Sequence, residues 1–97
     1  SGYNIAGPEV ESALMSHDAV FECAVIGCPD KDRGSIVQAY IVLNNNHKGD
    51  DLLKKILQDH VKKNIAPFKY PRSIIFTETL PKTKTGKIQR FKLRKNN

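Results

Sequence analysis

The stretch "VFECAVIGCPDKDRGSIVQAYIVL", Val20 to Leu43, decides the fold of this 97-residue chain. Val20 to Cys28 is dense in apolar and small residues and suits a buried strand. Pro29-Asp30-Lys31-Asp32-Arg33-Gly34 interrupts it with the residues of a turn or loop. Ile36 to Leu43 then makes a second strand, which Asn44-Asn45-Asn46 and Gly49 end.

Upstream, Gly7-Pro8-Glu9 followed by Val10, Ala13, Leu14 and His17 predicts a short amphipathic helix. Pro8 in the first turn removes no hydrogen bond, and Glu9 and Glu11 suit the positive end of the dipole. Downstream, Asp50 is a good N-cap. Leu52, Leu53, Ile56, Leu57, His60 and Val61 form one stripe, with Lys54, Lys55, Gln58, Asp59 and Lys62 turned away. Pro67 and Pro71 place a loop over residues 64–72, Ser73 to Thr77 read as a third strand, Thr85-Gly86 as a turn, and Gln89 to Lys95 as a last short helix. The expected fold is α+β, with a mainly antiparallel three-stranded sheet flanked by helices and a basic C-terminal β-hairpin or loop. With no repeat and no dividing linker, residues 1–97 read as one domain, whose core buries roughly two-thirds of the unfolded surface.

The charge is unevenly placed. Residues 62–97 hold eleven Lys or Arg against Glu78 alone, whereas residues 1–61 hold five cations against nine acids. A basic part beside an acidic one points to a surface that meets anions: phosphate on a small molecule, a nucleic acid or a lipid head group. No apolar run reaches the ~18 residues of a membrane span. The opening Ser-Gly-Tyr-Asn lacks the basic and apolar regions of a signal peptide. The missing initiator Met hints at a piece of a longer protein.

Cys23 and Cys28, five positions apart on one strand, fall on opposite faces roughly 16 Å apart and cannot bridge. They read as two buried reduced thiols in a cytoplasmic setting. His17, His47 and His60 are scattered, without carboxylates at ligand spacing, so no metal site is expected. His17 and His60 read as structural residues on helix faces. No Ser-His-Asp or Cys-His arrangement, paired carboxylates, Walker loop or dinucleotide motif is legible. The chain is therefore not expected to build a complete nucleotide site by itself.

The densest chemistry is "LPKTKTGKIQR", Leu80 to Arg90. Gly86 permits a positive φ that pushes Lys87 out at a loop tip, beside the hydroxyls of Thr83 and Thr85. An ammonium so held can bind phosphate or carboxylate and stabilise developing negative charge. The same stretch also reads as a solvated basic hairpin. A nucleic-acid surface is a third reading, since Phe68, Tyr70, Phe76 and Phe91 sit among the cations, although no ribonucleoprotein, KH or helix-turn-helix signature accompanies them.

Three blocks carry a family resemblance across essentially the whole chain: "SGYNIAGPEVESAL", "AVIGCPDKDRG" with "QAYIVL", and "LPKTKTGKIQR". The chain resembles the C-terminal domain of the adenylate-forming (AMP-binding) superfamily. "APFKYPRSIIFTETLPKTKTGKIQRFKLR" is most similar to acyl-CoA synthetases acting on short- and medium-chain fatty acids or benzoate-type acids. The resemblance implies a mobile lid to a large N-terminal domain that is absent from this chain and without which the lid is inactive. It implies a ligase that uses ATP, with Mg in the missing domain, to convert a carboxylic acid to an acyl-adenylate, and coenzyme A to convert that to a thioester.

By the same resemblance Lys87 is the adenylation lysine, acting electrostatically on the carboxylate and α-phosphate oxygens. Gly2 lets the pantetheine arm pass close to the backbone, with Tyr3 beside it. Arg33, Lys62 and Tyr70 fall where relatives contact coenzyme A, two as phosphate-binding cations and one as a ring near the nucleotide; Arg33 and Lys62 also read as ordinary surface cations. Many members carry Arg where this chain has Asn4, so the adenylate phosphate contact there is weaker or supplied elsewhere. The implied partners are the N-terminal domain and small molecules, with no nucleic acid and no membrane span. Two alternatives remain open: a basic nucleic-acid-binding module, and an adenylation domain that loads a carrier protein.

Overall fold

The structure, a computed structural model, describes residues 7–95. Helix α1 (Gly7–Met15) leads into strand β1 (Val20–Asp30), which turns into β2 (Gly34–Leu43). Helix α2 (Asp51–Asn64), a 3-10 turn (Pro67–Lys69), strand β3 (Ser73–Phe76) and helix α3 (Arg90–Lys95) follow. The strand order is β1-β2-β3, so β2 is central. The long β1–β2 pair is antiparallel and runs from Val20↔Leu43 to Asp30↔Gly34. The short β2–β3 pair, Gln38↔Ser73 to Ile41↔Phe76, is parallel. A parallel partner requires a crossover rather than a hairpin, and α2 supplies it. The α+β expectation stands, as a mixed sheet with one parallel pair.

Both faces of the sheet are covered, which explains why β1 shows no polar alternation. Cys23, Val25, Ala39 and Ile41 face α1 and α2 and pack with Val10, Leu14, Leu53, Leu57, Val61 and Ile74. Ala24, Ile26 and Tyr40 point the other way and meet Leu80 and Leu93, with Val42 and Ile88 alongside. The period of two along each strand thus feeds two separate cores. The second core roots the closing basic segment on the sheet.

Four details differ from the sequence reading. β1 continues through Pro29 and Asp30, because β1 is an edge strand and a proline there disrupts no ladder hydrogen bond. The α2 stripe narrows to Leu53, Leu57 and Val61. Leu52 and Ile56 are 68% and 42% exposed, since α2 meets the sheet along a single line. Both cysteines are free and share β1, but only Cys23 is buried; Cys28 near the strand's far end is half-buried. His17 lies just beyond α1 rather than on its face. Asp50 caps α2 as expected, its Oδ1 accepting from Leu53 N at 2.9 Å.

Candidate functional site

The basic segment folds as a short antiparallel excursion. Lys82 and Ile88 form an isolated bridge, and Gln89 N donates to Pro81 O at 2.9 Å. At the tip, Thr83 N donates to Lys87 O at 2.8 Å and Gly86 N to Thr83 O at 3.0 Å. Gly86 has φ +90°, a left-handed conformation that disfavours any side chain, with no atom within 4 Å of where a Cβ would stand. The glycine is therefore demanded by the backbone and not by crowding.

Thr83 Oγ1 accepts from Lys87 N at 3.1 Å and lies 3.1 Å from Thr85 Oγ1. Residues 82–87 are all exposed, so the Lys87 ammonium is presented to solvent from a turn that is braced from within. Its neighbours are spent structurally. Lys82 pairs with Glu22 at 2.7 Å and Arg90 with Glu11 at 2.7 Å. Among the described residues, neither Lys84 nor Lys87 is in such an ion pair.

A second cationic group lies elsewhere. Lys62, in the last turn of α2, holds its Nζ 4.2 Å from the centroid of the Tyr70 ring. The Arg72 guanidinium lies 4.9 Å from the same ring, and its Nη1 donates to Tyr70 Oη at 2.8 Å. One aromatic ring thus gathers two cations, an arrangement favourable by cation–π attraction. Lys62 and Tyr70 were expected from the resemblance; Arg72 was not singled out. The signal available was "YPR": the residue before a proline is extended, which puts Tyr70 and Arg72 on one side of the chain.

Arg33 stands exposed in the β1–β2 turn, where Asp30 Oδ2 accepts from the backbone N–H of Asp32 and Arg33 at 3.2 and 3.1 Å. Arg72 N donates to Val37 O at 3.0 Å, four residues after Arg33 and roughly 13 Å of strand away. The hairpin turn, Arg72 and Tyr70 therefore share one end of the sheet. The Lys87 turn is rooted through Lys82 on Glu22, near the start of β1 and the opposite end. Gly2, Tyr3 and Asn4 lie outside the described residues. Among the described residues no three or more His, Cys, Asp or Glu side chains are grouped to hold a metal ion, and no helix is long and apolar enough to cross a membrane.

The family model described as "AMP-binding enzyme C-terminal domain" matches residues 9–87, from α1 to the lysine at the tip. The chain belongs to that family. As an AMP-binding C-terminal domain it is 58% identical, over 98% of its length, to an uncharacterized acyl–CoA ligase, YtcI, of Bacillus subtilis. It is 54% identical over 98% of its length to the mitochondrial acyl-coenzyme A synthetase ACSM3 of Mus musculus. Among solved structures it superposes on an acyl-CoA synthetase of Brucella canis with a TM-score of 0.93 at 50% identity, covering 99% of this chain and 18% of that one. A benzoate CoA ligase of Burkholderia xenovorans gives 0.86 at 46% identity, covering 94% and 18%. The domain spans 18% of the length of the Bacillus relative and 17% of the mouse one.

Proposed function

We propose that this AMP-binding C-terminal domain is the mobile lid of an acyl-CoA synthetase. In that reading the whole enzyme activates a carboxylic acid with ATP to an acyl-adenylate and then forms the coenzyme A thioester. The observation that carries it is the placement of Lys87: an exposed ammonium on a glycine-dependent turn, braced by Thr83, inside the segment that closes the family match. Lys87 neutralises charge as the carboxylate attacks the α-phosphate and helps to hold the attack geometry; it forms no covalent bond.

The other end of the sheet serves the thioester step. Lys62 and Arg33 are cations for the phosphates of coenzyme A, and Tyr70 is a ring for its nucleotide. Gly2 and Tyr3 line the path of the pantetheine arm, and Asn4 gives the adenylate a hydrogen bond without charge. The separation of the Lys87 turn from the Lys62–Tyr70–Arg72 group supports a lid that presents a different region in each half-reaction. The reading places magnesium, with ATP, on the large N-terminal domain. The reading gives the basic half small-molecule phosphates rather than a nucleic acid as partners. Two free thiols suit a cytoplasmic, reducing setting.

The test uses the full-length protein and separates the half-reactions. Lys87→Ala is expected to lower acyl-adenylate formation on the order of 10²–10³-fold, while conversion of supplied acyl-adenylate to thioester persists. Gly2→Leu is expected to do the reverse. Equal loss of both steps in both variants would refute the two-region assignment. Turnover with a carrier-bound thiol but not with free coenzyme A would move the enzyme to the carrier-loading class.

A further inference from the structure

Two ion pairs flank Lys87 along the chain, and both hold the closing segment to α1 and β1. Lys82 Nζ meets Glu22 Oε1 at 2.7 Å. Arg90 forks onto Glu11, with Nη2 at 2.7 and 2.8 Å from the two oxygens and Nε at 3.0 Å from Oε2. The carboxylates are the shielded partners: the Glu11 and Glu22 side chains are 18% and 19% exposed, against 38% for Arg90 and Lys82. Glu11 is itself fixed, because Val25 N, on the edge strand β1, donates to its Oε2 at 2.8 Å.

Between these two roots the turn touches the body of the domain through little else. Leu80 and Leu93 anchor the segment in the second core, with Ile88 packed against it, and residues 82–87 are exposed. An apolar contact is non-directional and tolerates sliding, whereas a forked guanidinium–carboxylate pair fixes an angle as well as a distance. We infer that Glu11, acting through Arg90, and Glu22, acting through Lys82, are positioning residues that set where the Lys87 ammonium stands. The inference rests on the proposed role of Lys87 in adenylation. The loss of either pair is expected to fall on the rate of one step: a displacement of about 1 Å at a reacting centre slows it on the order of 10²-fold.

The experiment is made in the full-length protein with Glu11→Gln, Glu22→Gln, Arg90→Lys and, as control, Lys87→Ala. Gln at position 11 keeps an acceptor for Val25 N–H and removes the charge that orients Arg90. Glu11→Gln and Glu22→Gln are each expected to lower kcat for acyl-adenylate formation about 10–10²-fold. Their KM for ATP is expected to stay within about twofold. Thioesterification of supplied acyl-adenylate is expected to stay unchanged, and Tm within about 4 °C. Arg90→Lys, which keeps the charge but loses the fork, should fall between wild type and Glu11→Gln. If Glu11→Gln fails to fold, Glu22→Gln alone decides. Unchanged adenylation in the glutamine variants beside an inactive Lys87→Ala overturns the inference and leaves the role of Lys87 standing. Equal loss of both half-reactions reduces the pairs to a structural role and also overturns it. Active Lys87→Ala refutes the adenylation role itself, and the positioning inference with it.

Discussion

Cys23 shows how far a side chain's chemistry departs from its type once it is packed. Its thiol is pushed up to about 12, first by burial and then by the neighbouring Glu11 carboxylate. The sulfur lies 3.7 Å from Glu11 O, to which it donates weakly. It therefore stays a neutral thiol across the physiological range, and the thiolate is the reactive species. Iodoacetamide at pH 8 is expected to label Cys28 on the folded domain and Cys23 only after denaturation. Rapid labelling of Cys23 in the native state, read by peptide mass, would contradict this placement. Buried thiols were legible from the apolar run around them; the unequal burial of the two depends on how far the strand extends past its core.

At the scale of elements, the start of α2 joins a legible feature to an illegible one. Asp50 sits at the N-cap with φ −117° and ψ 178°, as its residue type predicts. Gly49, read as a strand terminator, has a packing reason that no local pattern carries. A Cβ there would fall 2.7 Å from Cδ2 and 3.1 Å from Cβ of Phe76, the last residue of β3. Gly49→Ala is expected to destabilise the domain by about 1–3 kcal/mol through overpacking. Urea unfolding should show a lower midpoint at an unchanged slope. A change under about 0.5 kcal/mol would mean that the Phe76 ring swings aside without strain.

The whole molecule is also tied together by a pair of histidines. His17, after α1, and His60, on α2, meet edge to face with centroids 5.0 Å apart and planes at 86°. Ser16 Oγ donates to Ala13 O at 2.7 Å, so across its 2.7 Å contact with His60 Nε2 it accepts. His17 Nδ1 accepts from Ala19 N at 3.0 Å, which leaves its proton on Nε2. Burial, then the charge of His60, lowers the pKa of His17 below 6.5; His47 adds to this and Asp18 opposes it. The unfolded chain therefore binds a proton at His17 more readily than the folded one does. Stability from this group is present above about pH 6.5 and is lost as pH falls below it towards the lowered value. Urea midpoints are expected to fall between pH 7.5 and 5.5, and His17→Asn is expected to flatten that fall. An unchanged slope in the variant would assign the pH dependence to other groups.

The residues by themselves determined most of the elements and the turn at the loop tip. The Val20–Leu43 run, the Asp50 cap and the Gly86-Lys87 pair are written locally, because strand patterning, capping and positive-φ turns depend on residues a few positions apart. Three blocks carried the family resemblance, the closing "LPKTKTGKIQR" being the most specific of them. Contacts between distant residues were decided only by the tertiary structure. Glu11 and Arg90 are 79 positions apart, and Gly49 meets Phe76 across the α2 crossover. The parallel β2–β3 pairing and the exposure of Leu52 and Ile56 also depend on where α2 settles. Apolar burial is non-directional, so the pattern shows which residues go inside; the packed fold decides which carboxylate each cation meets.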